Sequence, residues 1–200
     1  MPDLHLKLRK SGRRGKRRIL AIDTEWAKNW TAFEKFIPFC AAVHVIYPPA
    51  SPTVLNIEEW GMDTELYFRS RDESPSDYAR ALDAMIARHI GPTTTVVGHQ
   101  LTSDLHLLRQ ISNCPLTAVD AILDQFTNRR SVPNDASFVV RDTRYDIQSR
   151  QTGNGGEKLR NVSLRLRVFA VQNELDSASL TRLYNQYAVD QDRGKLEKLM

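Results

Sequence analysis

The sequence predicts an α/β domain: a mixed sheet, antiparallel in its first three strands and extended by parallel strands, with helices packed on its faces. Two observations carry this. Apolar, β-branched runs follow one another before residue 60, as in an antiparallel meander, and helical patterns alternate with short strands beyond residue 74. Two hundred residues with 41% hydrophobic content bury one sizeable core, so a single domain over 19–200 is expected behind a basic arm at 1–18.

The arm contains Lys7, Arg9, Lys10, Arg13, Arg14, Lys16, Arg17 and Arg18, eight of the 28 basic residues. Without them 20 basic residues face 24 acidic ones, so the net charge of +4 belongs to the arm and the body is mildly acidic. Interrupted by Gly12 and Gly15, the arm reads as flexible and suited to phosphates, Arg13, Arg14, Arg17 and Arg18 above all. A solubilising tail or a targeting peptide has the same composition.

Next comes Ile19-Leu20-Ala21-Ile22-Asp23-Thr24-Glu25-Trp26, a continuous apolar run that reads as a strand buried on both faces and ends in two carboxylates. Side chains alternate along a strand, so Asp23 and Glu25 share one face, with Cα atoms roughly 6.5 to 7 Å apart. Like charges at that spacing repel. Water relieves them at a solvated edge, and in a cleft a hard divalent cation such as Mg²⁺ or Mn²⁺, which prefers oxygen ligands, does so.

Phe39 to Ile46 reads as the second strand, Pro48, Pro49 and Pro52 as a turn, and Thr53 to Ile57 as the third strand; residues 61–73 are polar and carry little signal. Ser74-Pro75-Ser76-Asp77 starts a helix, with Ser74 as N-cap and Pro75 at the first helical position. Tyr78, Leu82, Met85, Ile86 and Ile90 fall on one face of it, and Gly91-Pro92 stops it. Thr93 to Val97 is a short strand leading through Gly98, His99 and Gln100 into a helix that Thr102 or Ser103 would cap. Asp104 lies in its first turn, where the helix dipole favours a carboxylate in any case. Residues 115–127 read as a helix, Phe138 to Thr143 as a strand ending in polar residues, and 159–171 and 177–189 as helical patterns. There is no internal repeat.

Composition removes several classes. No stretch approaches the roughly 20 apolar residues of a membrane span, and the N-terminus lacks a signal-peptide apolar core. Cys40 and Cys114 are the only cysteines, too few for a disulfide framework or a zinc cluster, so an intracellular setting, cytoplasmic or nuclear, is expected.

Three motifs in order carry a resemblance. Ile19 to Trp26 resembles the first motif of the DEDD superfamily of 3′-to-5′ exonucleases, an apolar strand followed by Asp-x-Glu. Gly98-His99-Gln100-Leu101-Thr102-Ser103-Asp104-Leu105 is similar to the second, commonly Gly-His-Asn-x-x-Phe-Asp, with Gln100 in place of Asn and Ser103 in place of the aromatic. Phe138 to Thr143 resembles the strand ending in Asp-Thr between the second and third motifs.

The resemblance implies a ribonuclease-H-like fold and two-metal phosphodiester hydrolysis with Mg²⁺ or Mn²⁺ at the 3′ ends of single-stranded DNA or RNA. Asp23 would bridge both ions, Glu25 would hold the nucleophile-side ion, and Asp104 would hold the other, directly or through water. Thr24, Trp26, His99 and Gln100 become candidate nucleic-acid contacts, with Trp26, Phe33 and Phe36 able either to stack on bases or to pack in the core.

The superfamily's third motif is Tyr-x-x-x-Asp or His-x-x-x-x-Asp on a late helix. No His lies beyond His106, and Tyr187 precedes Asp190 and Asp192 at offsets of three and five. One reading takes these as a shifted motif. The other, which the sequence favours, takes Lys195 to Met200 as the start of an amphipathic helix that, in the Tyr-type branch resembling family B polymerase exonuclease domains, runs into the motif, which is then expected beyond Met200, with a polymerase or other downstream domain as an expected partner. Two further classes compete: a non-catalytic nucleic-acid-binding module that keeps the fold and the basic arm, and a ribonuclease-H-like endonuclease or transposase-type nuclease, which shares the strand-borne carboxylates.

Overall fold

The computed structural model describes residues 5–12, 15–28, 36–49, 60–70, 72–128 and 137–146, together with Ser179 and Arg182, leaving aside the side chains of Lys28 and Phe36. Among the described residues six strands form one sheet: β1 (His5–Lys10), β2 (Arg18–Lys28), β3 (Phe36–Tyr47), β4 (Gly61–Phe68), β5 (Thr94–Gly98) and β6 (Phe138–Asp142). Their order is β1-β4-β3-β2-β5-β6. Strands β2, β3 and β4 make an antiparallel meander, and β5 and β6 add in parallel on the other side of β2. This is the expected mixed sheet, antiparallel first and extended by parallel strands, with β1 added at one edge.

The helices are α1 (Pro75–Ala87), α2 (Leu101–Ile111), α3 (Thr117–Thr127) and the single turn α4 (Thr143–Asp146). Ser74 caps α1 as its sequence requires, its hydroxyl accepting the Asp77 amide at 3.0 Å with Pro75 opening the helix. Tyr78, Leu82, Met85 and Ile86 from α1, Leu101, Leu105 and Leu108 from α2, and Val119, Ile122 and Leu123 from α3 are buried in one cluster. They meet Leu20, Ile22, Val43, Val45, Val96 and Val140 of the sheet. Each such aliphatic side chain contributes about 1.5 to 3 kcal/mol by leaving water. Among the described residues no helix is long and apolar enough to cross a membrane.

Three expectations change. The basic arm is not flexible over its whole length: His5–Lys10 pairs antiparallel with β4, from His5 opposite Tyr67 to Lys10 opposite Met62. Two of its charges are engaged, Lys7 lying 3.7 Å from Glu65 and Arg9 3.6 Å from Asp63. The third strand of the meander is Gly61–Phe68; Thr53 to Ile57 lies outside the described residues. Residues 61–73 are polar and carried little signal, yet Glu65 among them is buried, and His5, His89, Arg88 and Lys7 surround its carboxylate. Finally, neither Thr102 nor Ser103 caps α2. Gln100 occupies the cap position in a left-handed conformation, φ 62° and ψ 29°. The helical patterns at 159–171 and 177–189 fall outside the described stretches.

Candidate active site

Strand β2 is where the sheet changes direction, antiparallel to β3 on one side and parallel to β5 on the other. In sheets built this way, ligand sites form beyond the carboxyl ends of the strands at the point where the strand order reverses. The ladder between β2 and β5 runs from Arg18 opposite Thr94 to Ala21 opposite Val97. Past it, β5 leaves the sheet for α2, while β2 continues beside β3 with Asp23 opposite Ala42 and Glu25 opposite Cys40.

Both carboxylates therefore stand where the parallel ladder opens. The pleat sends Leu20, Ile22 and Thr24 toward the helices, all buried, while Asp23 is exposed and Glu25 half-buried on the opposite face. A register shift between Glu25 and Trp26 interrupts the pairing with β3 just beyond them, the kind of irregularity that re-aims side chains at a strand end.

Helix α2 brings Asp104 to this point. Gly98 makes the approach possible: a Cβ there would stand 2.7 Å from the Leu101 Cβ and 3.2 Å from the Ile22 carbonyl oxygen. The chain then turns through Gln100, and the Ser103 amide donates to the Gln100 carbonyl at 3.0 Å, which sets the first turn. Asp104 accepts a hydrogen bond from the Thr24 hydroxyl, and that oxygen in turn accepts from Trp26 Nε1 at 2.7 Å.

Burial pushes the Asp104 carboxyl up to about 7; the charges of Asp23, Glu25 and Asp142 add to this and the Thr24 hydrogen bond opposes it. Asp104 thus feels all three other carboxylates. Their field reaches the sheet face as well. Burial and then the charges of Glu25 and Asp23 raise the Cys40 thiol well above its ordinary value. Burial lowers His44, with Asp23 opposing, and its Nδ1 lies 2.9 Å from Thr64 Oγ1.

His99 and Gln100 sit at the turn into α2, beside the end of β6. His99 Nδ1 is 2.9 Å from Thr143 Oγ1, and the Gln100 amide donates to Asp142 Oδ1 at 2.9 Å. Trp26 is half-buried and packs against the core as well as bonding Thr24. Arg18 opens β2 at its other end, roughly 16 Å along the strand from Asp23 by the rise per residue, and Arg17 precedes it. The fold does not bring them to the carboxylates. Arg13, Arg14, Phe33, Tyr187, Asp190 and Asp192 lie outside the described residues, as does the Phe36 side chain.

The donor set is all carboxylate oxygen, which suits a hard divalent cation. Among the described residues, however, no three His, Cys, Asp or Glu side chains are gathered closely enough to hold a metal ion as they stand. The pleat accounts for this: Asp104 bonds Thr24 on the helix side, while Asp23 and Glu25 leave the strand on the other face. The residues fit the ion in kind, and closing around it requires attraction to overcome their mutual repulsion.

Sequence reasoning placed Asp142 in a motif without giving it a role, and it passed over Cys40 and His44. The signal for the first was a carboxylate ending an apolar strand. For the others there was none, because only pairing between β2 and β3 brings them beside Asp23 and Glu25.

Fold and site together define a mixed α/β domain with carboxylates converging at the carboxyl ends of its central strands. No family model matches the chain, and no curated protein matches it. Among solved structures it is similar to exonuclease I, at 13% identity and a TM-score of 0.40 over 92% of this chain and 46% of that one. It is also similar to E. coli exonuclease I in complex with a 5cy-dA13 oligonucleotide, at 12% identity and a TM-score of 0.40 over 92% of this chain and 45% of the other. The chain spans less than half the length of these exonuclease I chains.

Proposed function

We propose that this chain is a metal-dependent 3′-to-5′ exonuclease domain acting on the 3′ ends of single-stranded DNA or RNA. The observation that supports it most is that the fold brings Asp104, 79 residues beyond Glu25, within reach of the β2 carboxylates, whose charges add to its burial in raising its carboxyl to about 7. A stable fold gains nothing from packing like charges together, so their retention points to a cationic ligand.

On this reading Asp23, Glu25 and Asp104 hold Mg²⁺ or Mn²⁺, and when bound the two ions activate water and neutralise charge on the phosphodiester. Thr24 holds Asp104 in place through its hydroxyl, itself oriented by Trp26.

Incubating an end-labelled single strand with Mn²⁺ tests the proposal. Stepwise release of mononucleotides from the 3′ end, abolished by Asp23→Ala and by Asp104→Ala, supports it. Salt-sensitive binding without cleavage replaces it with a non-catalytic binding module, a reading that the open arrangement of the carboxylates favours. Internal cuts replace it with an endonuclease.

A further inference from the structure

The turn that delivers Asp104 is held from the end of β6. Asp142 is fully buried, and its Oδ1 accepts the amide of Gln100 at 2.9 Å and that of Arg144 at 2.9 Å. The next residue, Thr143, donates its hydroxyl to the Gly98 carbonyl at 3.2 Å. With that proton spent, the Thr143 oxygen accepts from His99 Nδ1–H at 2.9 Å.

Gln100 is one of two described non-glycine residues with positive φ. A left-handed backbone is strained for such a residue and persists where its surroundings over-determine it. Here they do: the amide is bound by Asp142, the side-chain Nε2 donates to Ser103 Oγ at 3.1 Å, and Oε1 accepts from Arg144.

We infer that Asp142 and Thr143 are positioning residues, which clamp the His99-Gln100 turn in its left-handed conformation so that the first turn of α2 presents Asp104 to Thr24 and to the carboxylates of β2. The inference rests on the reading of Asp104 as a metal ligand. Asp142 acts as an acceptor of two amides, a role an Asn carbonyl also fills and an Ala does not.

Three readouts on the full chain test the clamp: amide hydrogen exchange at Gln100, Mn²⁺ affinity, and nucleotide release resolved into kcat and KM. Asp142→Ala speeds exchange at Gln100 tenfold or more while Val96 and Leu105 in the core keep their protection. It weakens Mn²⁺ binding tenfold or more, the scale of lost outer-shell support, and lowers kcat with KM unchanged. Asp142→Asn restores all three. Thr143→Val, nearly isosteric, repeats the test from the His99 side should Asp142→Ala not fold.

Unchanged Gln100 exchange in the Ala variant, or no rescue by Asn, overturns the inference. If the unaltered chain neither binds Mn²⁺ nor releases nucleotides, the proposed function fails instead, and the exchange comparison still decides whether the clamp exists.

Discussion

Thr24 donates its hydroxyl to the carboxylate of Asp104, so the residue between Asp23 and Glu25 reaches the helix layer while its two neighbours face the other way. One strand end thereby directs polar side chains to both faces of the sheet. The arrangement concentrates negative charge, and most of the expected behaviour follows from that.

Asp104→Asn is expected to stabilise the metal-free protein at pH 8 and to have no effect near pH 4. The folded chain keeps the Asp104 proton until about pH 7, whereas the unfolded chain releases it near the ordinary 3.8. Between those values the folded state binds more protons, so stability falls as pH rises and stays low above the window. A shift of this size is worth about 2 to 4 kcal/mol, readable by urea denaturation at the two pH values. Millimolar Mg²⁺ at pH 8 stabilises the unaltered chain and leaves the Asn variant nearly unmoved.

Iodoacetamide at pH 8 is expected to alkylate Cys114 and spare Cys40. Cys114 is exposed, whereas burial and the nearby carboxylates of Glu25 and Asp23 hold the Cys40 thiol protonated. Mass spectrometry of the labelled native chain checks this, and equal labelling refutes the burial of Cys40 beside Glu25.

Glu65→Ala is expected to cost about 1 to 3 kcal/mol and to free β1. Burial alone would raise the Glu65 carboxyl, but hydrogen bonds from His89 and His5 and the charges of Arg88 and Lys7 outweigh it and lower it. The contribution is therefore present above the ordinary value of 4.5 and disappears as pH falls through the depressed one. Faster amide exchange across His5–Lys10 at pH 7, with β2 unaffected, is the expected signature.

Gly98→Ala is expected to displace the start of α2. The added methyl would meet the Leu101 side chain at 2.7 Å and the Ile22 carbonyl at 3.2 Å, and Leu101 is buried with nowhere to yield. A loss of about 1 to 3 kcal/mol in stability is expected, together with loss of nucleotide release at temperatures where the variant stays folded. Full activity in a folded variant contradicts the tight approach of β5, β2 and α2.

Local order was legible where adjacent residues decide it. Ser74, Pro75 and Asp77 specify the start of α1 through bonds within four residues, and the apolar runs of β2, β3, β5 and β6 specify buried strands. Strand β4 was not legible, because Glu65 is tolerated inside only through His5, Lys7, Arg88 and His89, which lie 23 to 60 residues away. The start of α2 was misread for the same reason: the bond that holds Gln100 comes from Asp142, 42 residues along the chain.

By itself the sequence determined the fold class and the identity of the acidic residues, since hydrophobic period and residue chemistry are local properties. Tertiary structure alone decided that Asp104 meets Thr24 across the pleat from Asp23 and Glu25, that Asp142 lies close enough to raise it, and that Arg17 and Arg18 stand at the far end of β2. Those relations depend on strand order and register. Coulomb energy follows distance in space, and only the folded sheet converts separation along the chain into separation between charges.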